Sequence, residues 1–491
     1  MPSRAAEEIA ELANDRVSDG SRKRDLLVIA ACGFLLYALN VDFWIYGDSG
    51  MYADYALRRK FTEVTLHIGY YALVIAGQAT VGQLLGLPIQ ETMGWMNVAF
   101  GAATLCVVYL LALELLKSRP VALLTVVMFG LSGRVIANST SSEVYITQTF
   151  FVLLSFLQFA RGRTLVTAAA ATMSLLISPL SAFAFLFFPV YDYQQHGVIR
   201  WKQLGTLAVV SLALYLPYLV VHGHDLLWGR RGLLAINTNV APNPVAGLMN
   251  FPKYQFKQFT ALLLLSIPAM WVLRRNVRFF WLAVAVAVPH IYVIIKLTGE
   301  DNVFILNTDF FFAAALALGW TQLSHTRWRW LGPLALAGHL SLYVVSRSLF
   351  AFEHHRDYSE EMRDIAQRYL RNEGSAMITD WGTAIALTFY GRERAVGPVM
   401  DDPLFRRIYN TEENPPHDPS LLTLPNLYLL DRWKPTPLSR LLSSSESLRR
   451  QTNEHSIKLQ AERRLNLTCR LLQERTNRLY QCTPNAPVPQ S

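Results

Sequence analysis

From Arg22 to Phe350 the chain is a succession of long apolar segments divided by six short basic clusters: Arg22/Lys23/Arg24, Lys117/Arg119, Arg161/Arg163, Arg200/Lys202, Arg274/Arg275/Arg278 and Arg327/Arg329. A segment of about 20 apolar residues is long enough to cross a bilayer as a helix. Lys and Arg collect on the cytoplasmic side of such crossings. If all six clusters face the cytoplasm, the segments between them must come in pairs. The balance of 52% hydrophobic to 16% charged residues agrees, since soluble domains run at roughly 25% charged. The net charge of +9 resides in the clusters between apolar segments, which positive-inside topology explains better than nucleic-acid binding does.

The pairing predicts an α-helical polytopic membrane protein of about 11 transmembrane helices, spanning about 25–46, 94–116, 120–137, 143–160, two short tilted helices within 165–191, 203–221, 258–273, 279–297, 304–323 and 331–350. The two short helices meet outside at Ser178-Pro179, because proline removes a donor and breaks the helix. The stretch Gly69 to Leu87 cannot be a further span without reversing every later loop, so it is expected to lie on the outer surface as an interfacial helix. Residues 1–24 then form a cytoplasmic tail and 25–352 the membrane domain, with 47–92 as its first extracytoplasmic loop. The polar N-terminus and the length of the first apolar run are not those of a cleaved signal peptide.

From about Glu353 the chain becomes polar. EEMRDIAQRYLRNEG reads as helix, SAMITDWG as strand, TAIALTFYGRE as helix and NLYLL as strand, which predicts a small extracytoplasmic α/β domain over 353–491. Cys32 and Cys106 fall inside spans, where cysteine is a small apolar residue. Cys469 and Cys482 flank TCRLLQERTNRLYQC, a candidate hairpin closed by a disulfide in an oxidising compartment.

The stretch Asn40 to Tyr71, NVDFWIYGDSGMYADYALRRKFTEVTLHIGYY, gathers Asp42, Asp48, Asp54 and Glu63 with Arg58, Arg59, Lys60 and His67 at a membrane boundary. Two readings stand: a wetted loop with ordinary solvated acids, or a functional site, which is the default for charges this close to hydrocarbon. Other acids fall on the same face: Glu143, His224-Asp225 and Glu300-Asp301. So do basic residues stranded against the topological rule, including Arg134, Arg230 and Arg231. Capping by nearby acids or headgroups accounts for any one of them. Together they suit an anion held by forked, charge-assisted hydrogen bonds.

The Asp in GDSG followed by a tyrosine-rich helix, HIGYY opening an interfacial helix, and EVY at the head of the fourth span resemble the GT-C superfamily of membrane glycosyltransferases, which includes the protein O-mannosyltransferases and the aminoarabinose transferases. The nearest branch reads GDSGE and HPPGYP; here Met51 stands where that branch has Glu, and Ile68 with Tyr70 stands in place of the proline-rich HPPGYP. The likeness covers roughly Asp42 to Pro189 by motif and the remaining spans by count. It implies a polyprenyl phosphate-linked (in some relatives dolichyl phosphate-linked) sugar donor and an acceptor glycan, lipid or protein on the outer face of the bilayer, with inversion at the anomeric carbon.

By match to that motif Asp48 is the candidate general base, with Asp42 second. A base must take the acceptor hydroxyl proton, and the leaving phosphate must be stabilised. Trp44, Tyr46 and Tyr52 are expected to desolvate Asp48. His67, Glu143, Tyr52 and Tyr145 are assigned to substrate binding, and Arg230, Arg231, Arg58 and Arg59 to the phosphate. Asp42 and Asp48 are not spaced as a metal pair, and no cofactor is expected; the adjacent Glu300 and Asp301 could hold a hard cation with oxygen ligands, but wetted surface acids account for them better. A transporter or flippase for a lipid-linked or anionic solute would also use membrane charges and broken helices. The charges gather on one face and no inverted repeat is visible, which favours the transferase.

Overall fold

A computed structural model describes residues 19–43, 45, 47–58, 67–228, 251–252, 255–256, 258–296, 306–343, 352–371, 374–391, 408–410, 423–432, 457–475 and 477–485. The chain divides into two compact units: one comprises Met1–Val41, Phe61–Leu85 and Glu91–Tyr343, the other Asp42–Lys60, Gly86–Gln90 and Val344–Ser491.

The first unit is helical. Helix α1 (Asp19–Ala38) is followed, after the segment that belongs to the other unit, by α3 (Ile68–Gly77), whose helix continues through a π turn (Gln78–Gly82) to Leu85. Then come α4 (Ile89–Leu116), α5 (Arg119–Gly130), α6 (Gly133–Thr140), α7 (Tyr145–Ala160), α8 (Thr164–Ile177), a 3-10 turn (Pro179–Leu186), α9 (Phe187–His196) and α10 (Trp201–Trp228). After a second 3-10 turn (Thr260–Leu265), α11 (Ser266–Leu273), α12 (Val277–Lys296), α13 (Leu306–Ser324) and α14 (Leu331–Tyr343) complete it.

Among the described residues three helices, Ile68–Leu85, Ile89–Leu116 and Trp201–Gly223, are long and apolar enough to cross a membrane, or four if α5 and α6, bent by 64°, count as one. Five shorter apolar helices accompany them. The first predicted span differs: its helix begins six residues before 25 and ends at Ala38, and Leu39 and Asn40 form a turn. Its start is fixed by Asp25, which is buried and accepts from Tyr109 Oη at 2.6 Å, Arg119 Nε at 2.7 Å and Arg119 Nη2 at 2.8 Å. A buried carboxylate is tolerated only with such partners, and these tie α1 to α4 and α5. The expected interfacial helix is a helix from Ile68 to Leu85; by length and composition alone it would also cross.

Apolar surroundings demand that every main-chain group be satisfied, and the two helix breaks show how. At the α5/α6 bend the carbonyl of Leu131 receives His339 Nε2 at 2.8 Å, and His339 Nδ1 is bonded to Thr260 Oγ1 at 2.7 Å. At the Ser178-Pro179 break, Ser181 Oγ donates to the Ser174 carbonyl at 3.0 Å, Gln148 Nε2 donates to Ser181 Oγ at 2.9 Å, and His67 Nδ1 reaches the Ile177 carbonyl at 2.5 Å. Arg134 and Asp309, 2% and 0% exposed, form an ion pair at 3.2 Å between α6 and α13.

The second unit contains α2 (Asp48–Arg58), α15 (Phe352–Tyr369), β1 (Ser375–Thr379), α16 (Trp381–Gly391), β2 (Ile408–Asn410), β3 (Asn426–Arg432), α17 (Ile457–Leu465), β4 (Leu467–Glu474) and β5 (Asn477–Pro484). The sheet order is β2-β1-β3-β5-β4, with β1 parallel to β2 and β3, and β5 antiparallel to β3 and β4. Strand β1 is buried throughout, as expected for an apolar centre (Ala376-Met377-Ile378) flanked by parallel neighbours. Ala376, Ile378, Leu427, Leu429, Ile457 and Tyr480 pack as its core. Cys469 and Cys482 sit opposite each other in the β4/β5 hairpin and are joined by a disulfide. The helix, strand and helix over 352–391 and the strand at NLYLL follow the predicted order, and β2 is a further strand between α16 and β3 that the prediction lacks.

Candidate active site

The sequence reading placed the GDSG segment with the membrane helices, whereas Asp42–Lys60 clusters with the C-terminal unit. The cause is local. Gly47 has φ 58, a left-handed conformation that glycine adopts without strain, and this turns the chain into α2 so that Asp48 is its first residue. Helix α2 packs on α16, and a Cβ on Gly50 would collide with the Ile385 side chain. Ile45 N donates to Tyr390 Oη at 3.2 Å, and Gly47 N to the Gly382 carbonyl at 3.4 Å. Tyr390 Oη in turn donates to Ser359 Oγ at 3.0 Å; burial pushes this phenol up from its ordinary value.

The supporting helix is itself fixed. Asp380 caps α16, accepting from Thr383 N at 3.0 Å and Thr383 Oγ1 at 2.6 Å, a side-chain cap for the open amides of the first turn. Asp48 is thus half-buried on a short helix clamped from below, and a negative charge in a first helical turn faces the favourable end of the helix dipole. Asp42 is half-buried in the preceding extended segment, while Tyr52 and Asp54, 2% and 1% exposed, lie on α2. The arrangement offers a held carboxylate able to accept a proton.

A second constellation lies in the helical unit. His67 precedes α3 with φ 62, ψ 22. A carbonyl can only accept, so the bond to Ile177 puts the proton on Nδ1 and leaves the lone pair on Nε2. Burial, only partly offset by the Ile177 carbonyl, lowers the pKa of this ring to about 4, so the neutral form prevails. Asn97 is the hub beside it: Nδ2 donates to the main-chain oxygens of Ser141 at 2.5 Å and Glu143 at 2.6 Å, and Oδ1 accepts weakly from Thr147 Oγ1 at 3.4 Å and Tyr70 Oη at 3.5 Å. The turn carrying Glu143 is thereby pinned to α4, with Glu143 half-buried and Tyr145 7% exposed at the start of α7.

The predicted residues therefore fall into two groups. His67, Glu143 and Tyr145 belong to the helical unit, and Asp42, Asp48 and Tyr52 to the unit with the sheet. Arg59, Arg230, Arg231, Trp44, Tyr46, Glu300 and Asp301 lie outside the described residues, as does the side chain of Arg58. Among the described residues no three His, Cys, Asp or Glu side chains gather as a metal-binding set. Sequence reading missed Asn97, Tyr390 and Asp380. A lone Asn in an apolar span is a signal for inter-helix bonding; Tyr390 carries no such signal.

No protein-family model and no curated protein matches the sequence. Solved structures do share its fold. ArnT from Cupriavidus metallidurans bound to undecaprenyl phosphate superposes with a TM-score of 0.60 at 13% identity, covering 93% of this chain and 97% of that one. The same protein in the apo state gives 0.57 at 12% identity, over 94% and 98%. The mycobacterial arabinofuranosyltransferase AftD gives 0.50 at 14% identity, over 94% of this chain and 40% of its own. The chain has the fold of the GT-C glycosyltransferases, mostly helical with a small C-terminal sheet.

Proposed function

We propose that this protein is an integral membrane glycosyltransferase that moves a sugar from a polyprenyl phosphate donor to an acceptor on the extracytoplasmic face, with inversion and with Asp48 as general base. The observation that carries the reading is the nearly end-to-end likeness to a structure holding undecaprenyl phosphate, together with the motif aspartate set at the head of a clamped helix.

In the proposed reaction the Asp48 carboxylate takes the proton of the acceptor hydroxyl as that oxygen bonds the anomeric carbon. The bond from that carbon to the phosphate oxygen breaks, and the lipid phosphate leaves with the electron pair. Positioned proton transfer of this kind contributes typically about 10²–10⁴-fold. Neutral His67 supplies an acceptor nitrogen and Glu143 a carboxylate for sugar hydroxyls, with Tyr145 and Tyr52 as flanking aromatic surface. The phosphate is assigned to Arg230 and Arg231, then Arg58 and Arg59, which suit it by forked hydrogen bonding.

The test is to incubate the purified protein with radiolabelled polyprenyl phosphate sugars and a membrane extract. Label appearing in a new covalent product marks a transferase. Label that crosses a vesicle without forming a new bond marks a transporter and overturns the proposal, and so does no turnover of any kind.

A further inference from the structure

An open apolar cavity of about 610 Å³ lies between α9 and α12, lined by none of the residues of the constellations described above. Pro189, Val190 and Tyr193 form one wall, and Trp281, Val284 and Ala285 the other. These positions recur at three- and four-residue intervals, so each helix gives the cavity one face. The volume is in the range of small-molecule sites, about 300–1,000 Å³.

The lining of this cavity is apolar apart from Gln194 and the hydroxyl of Tyr193. The buried Oε1 of Gln194 has no hydrogen-bond donor among the described residues. Next to it the chain is basic. Arg278 stands one turn before Trp281, on the same 278-281-285 stripe of α12, and is exposed with no carboxylate paired to it among the described residues. Arg274 and Arg275, just before α12, and Lys202, in the first turn of α10, are also exposed. The acid on α9, Asp192, is already committed: it accepts from Arg200 Nε and is paired with Arg200 Nη2, each at 2.6 Å. The rim therefore keeps a net positive charge.

We propose that this groove is a binding site for an anionic glycerophospholipid of the leaflet facing the basic helix ends, of the phosphatidylglycerol type. One acyl chain lies along the Val190/Val284 walls, the phosphate meets Arg278, and the half-buried Gln194 amide stands beside the headgroup. Basic pockets between membrane helices suit such headgroups, and each Lys or Arg near an anionic surface is worth about 1 kcal/mol, or about fivefold in affinity. The site lies at the end of the bundle carrying the basic clusters, so it is separate from the donor site assigned to the opposite face.

The experiment is native mass spectrometry of the full chain in detergent, titrated with phosphatidylglycerol or with phosphatidylcholine. The variants are Arg278→Gln, Gln194→Leu and the groove-filling Ala285→Trp, each checked for an unchanged melting temperature. The expected result is a phosphatidylglycerol adduct weakened about fivefold in Arg278→Gln and lost in Ala285→Trp, with phosphatidylcholine bound more weakly than phosphatidylglycerol to the wild type. Equal binding of the two lipids, adducts unaffected by all three variants, or displacement by undecaprenyl phosphate would each overturn the proposal. If Ala285→Trp melts early, Arg278→Gln and Gln194→Leu decide alone.

Discussion

His67 Nδ1 donates to the carbonyl of Ile177 at 2.5 Å, so an imidazole from the loop before α3 closes the helix end that Ser178-Pro179 leaves open. Burial lowers the pKa of His67 to about 4 in the folded protein, against about 6.5 unfolded. Between these values the unfolded chain binds the extra proton, so stability is full above about pH 6.5 and falls as pH drops toward 4. Melting temperatures in detergent across pH 4 to 7 are expected to show this loss. In His67→Asn, which tolerates the left-handed backbone, that component of the pH dependence is expected to vanish.

Asn97 holds two main-chain oxygens at the turn before α7. Asn97→Ala removes this donor from both, at a cost of about 1–3 kcal/mol. A lower melting temperature is the expected readout. Because the same turn carries Glu143, a raised KM for the sugar donor is expected with it.

The Arg134–Asp309 pair is buried on both sides. Removing one partner strands a charge and is expected to destabilise by about 3–5 kcal/mol, whereas replacing both with apolar residues is close to neutral. Arg134→Met and Asp309→Leu, alone and together, measure this by denaturant melts. A double variant as unstable as either single one would contradict it.

Cys469 and Cys482 are 13 residues apart in sequence and directly opposite in the hairpin. A loop of that size is stabilised by about 3 kcal/mol through restriction of the unfolded chain. Dithiothreitol, or Cys469→Ser with Cys482→Ser, is expected to lower the melting temperature of the sheet-bearing unit. No change would mean that the bridge contributes nothing to it.

Much of this architecture can be read in the sequence, for physical reasons. Apolar length and basic clusters mark the helices from 94 to 343 to within a few residues, and Pro179 marks the break, because hydrophobicity and proline act locally. The alternation of helix and strand over 353–432 is legible in the same way. Partnership across the chain is not. That Ile45 and Gly50, on either side of Asp48, meet Tyr390 and Ile385 some 340 residues away has no local signal, so sequence alone groups the GDSG segment with its neighbours along the chain. The end of α1 at Ala38 was hidden because the apolar run continues past the point where the helix stops. Glycine in GDSG was legible as a motif, but its two uses, a left-handed turn at Gly47 and close approach at Gly50, needed the fold.

The central claim rests on one carboxylate, and Asp48→Asn tests it most directly. The substitution keeps the size of the side chain and its place at the head of α2. The variant is expected to melt within a degree or two of wild type and to bind the polyprenyl phosphate sugar, while single-turnover transfer falls by about 10²–10⁴-fold. Transfer at the wild-type rate by a correctly folded Asp48→Asn protein would contradict the account.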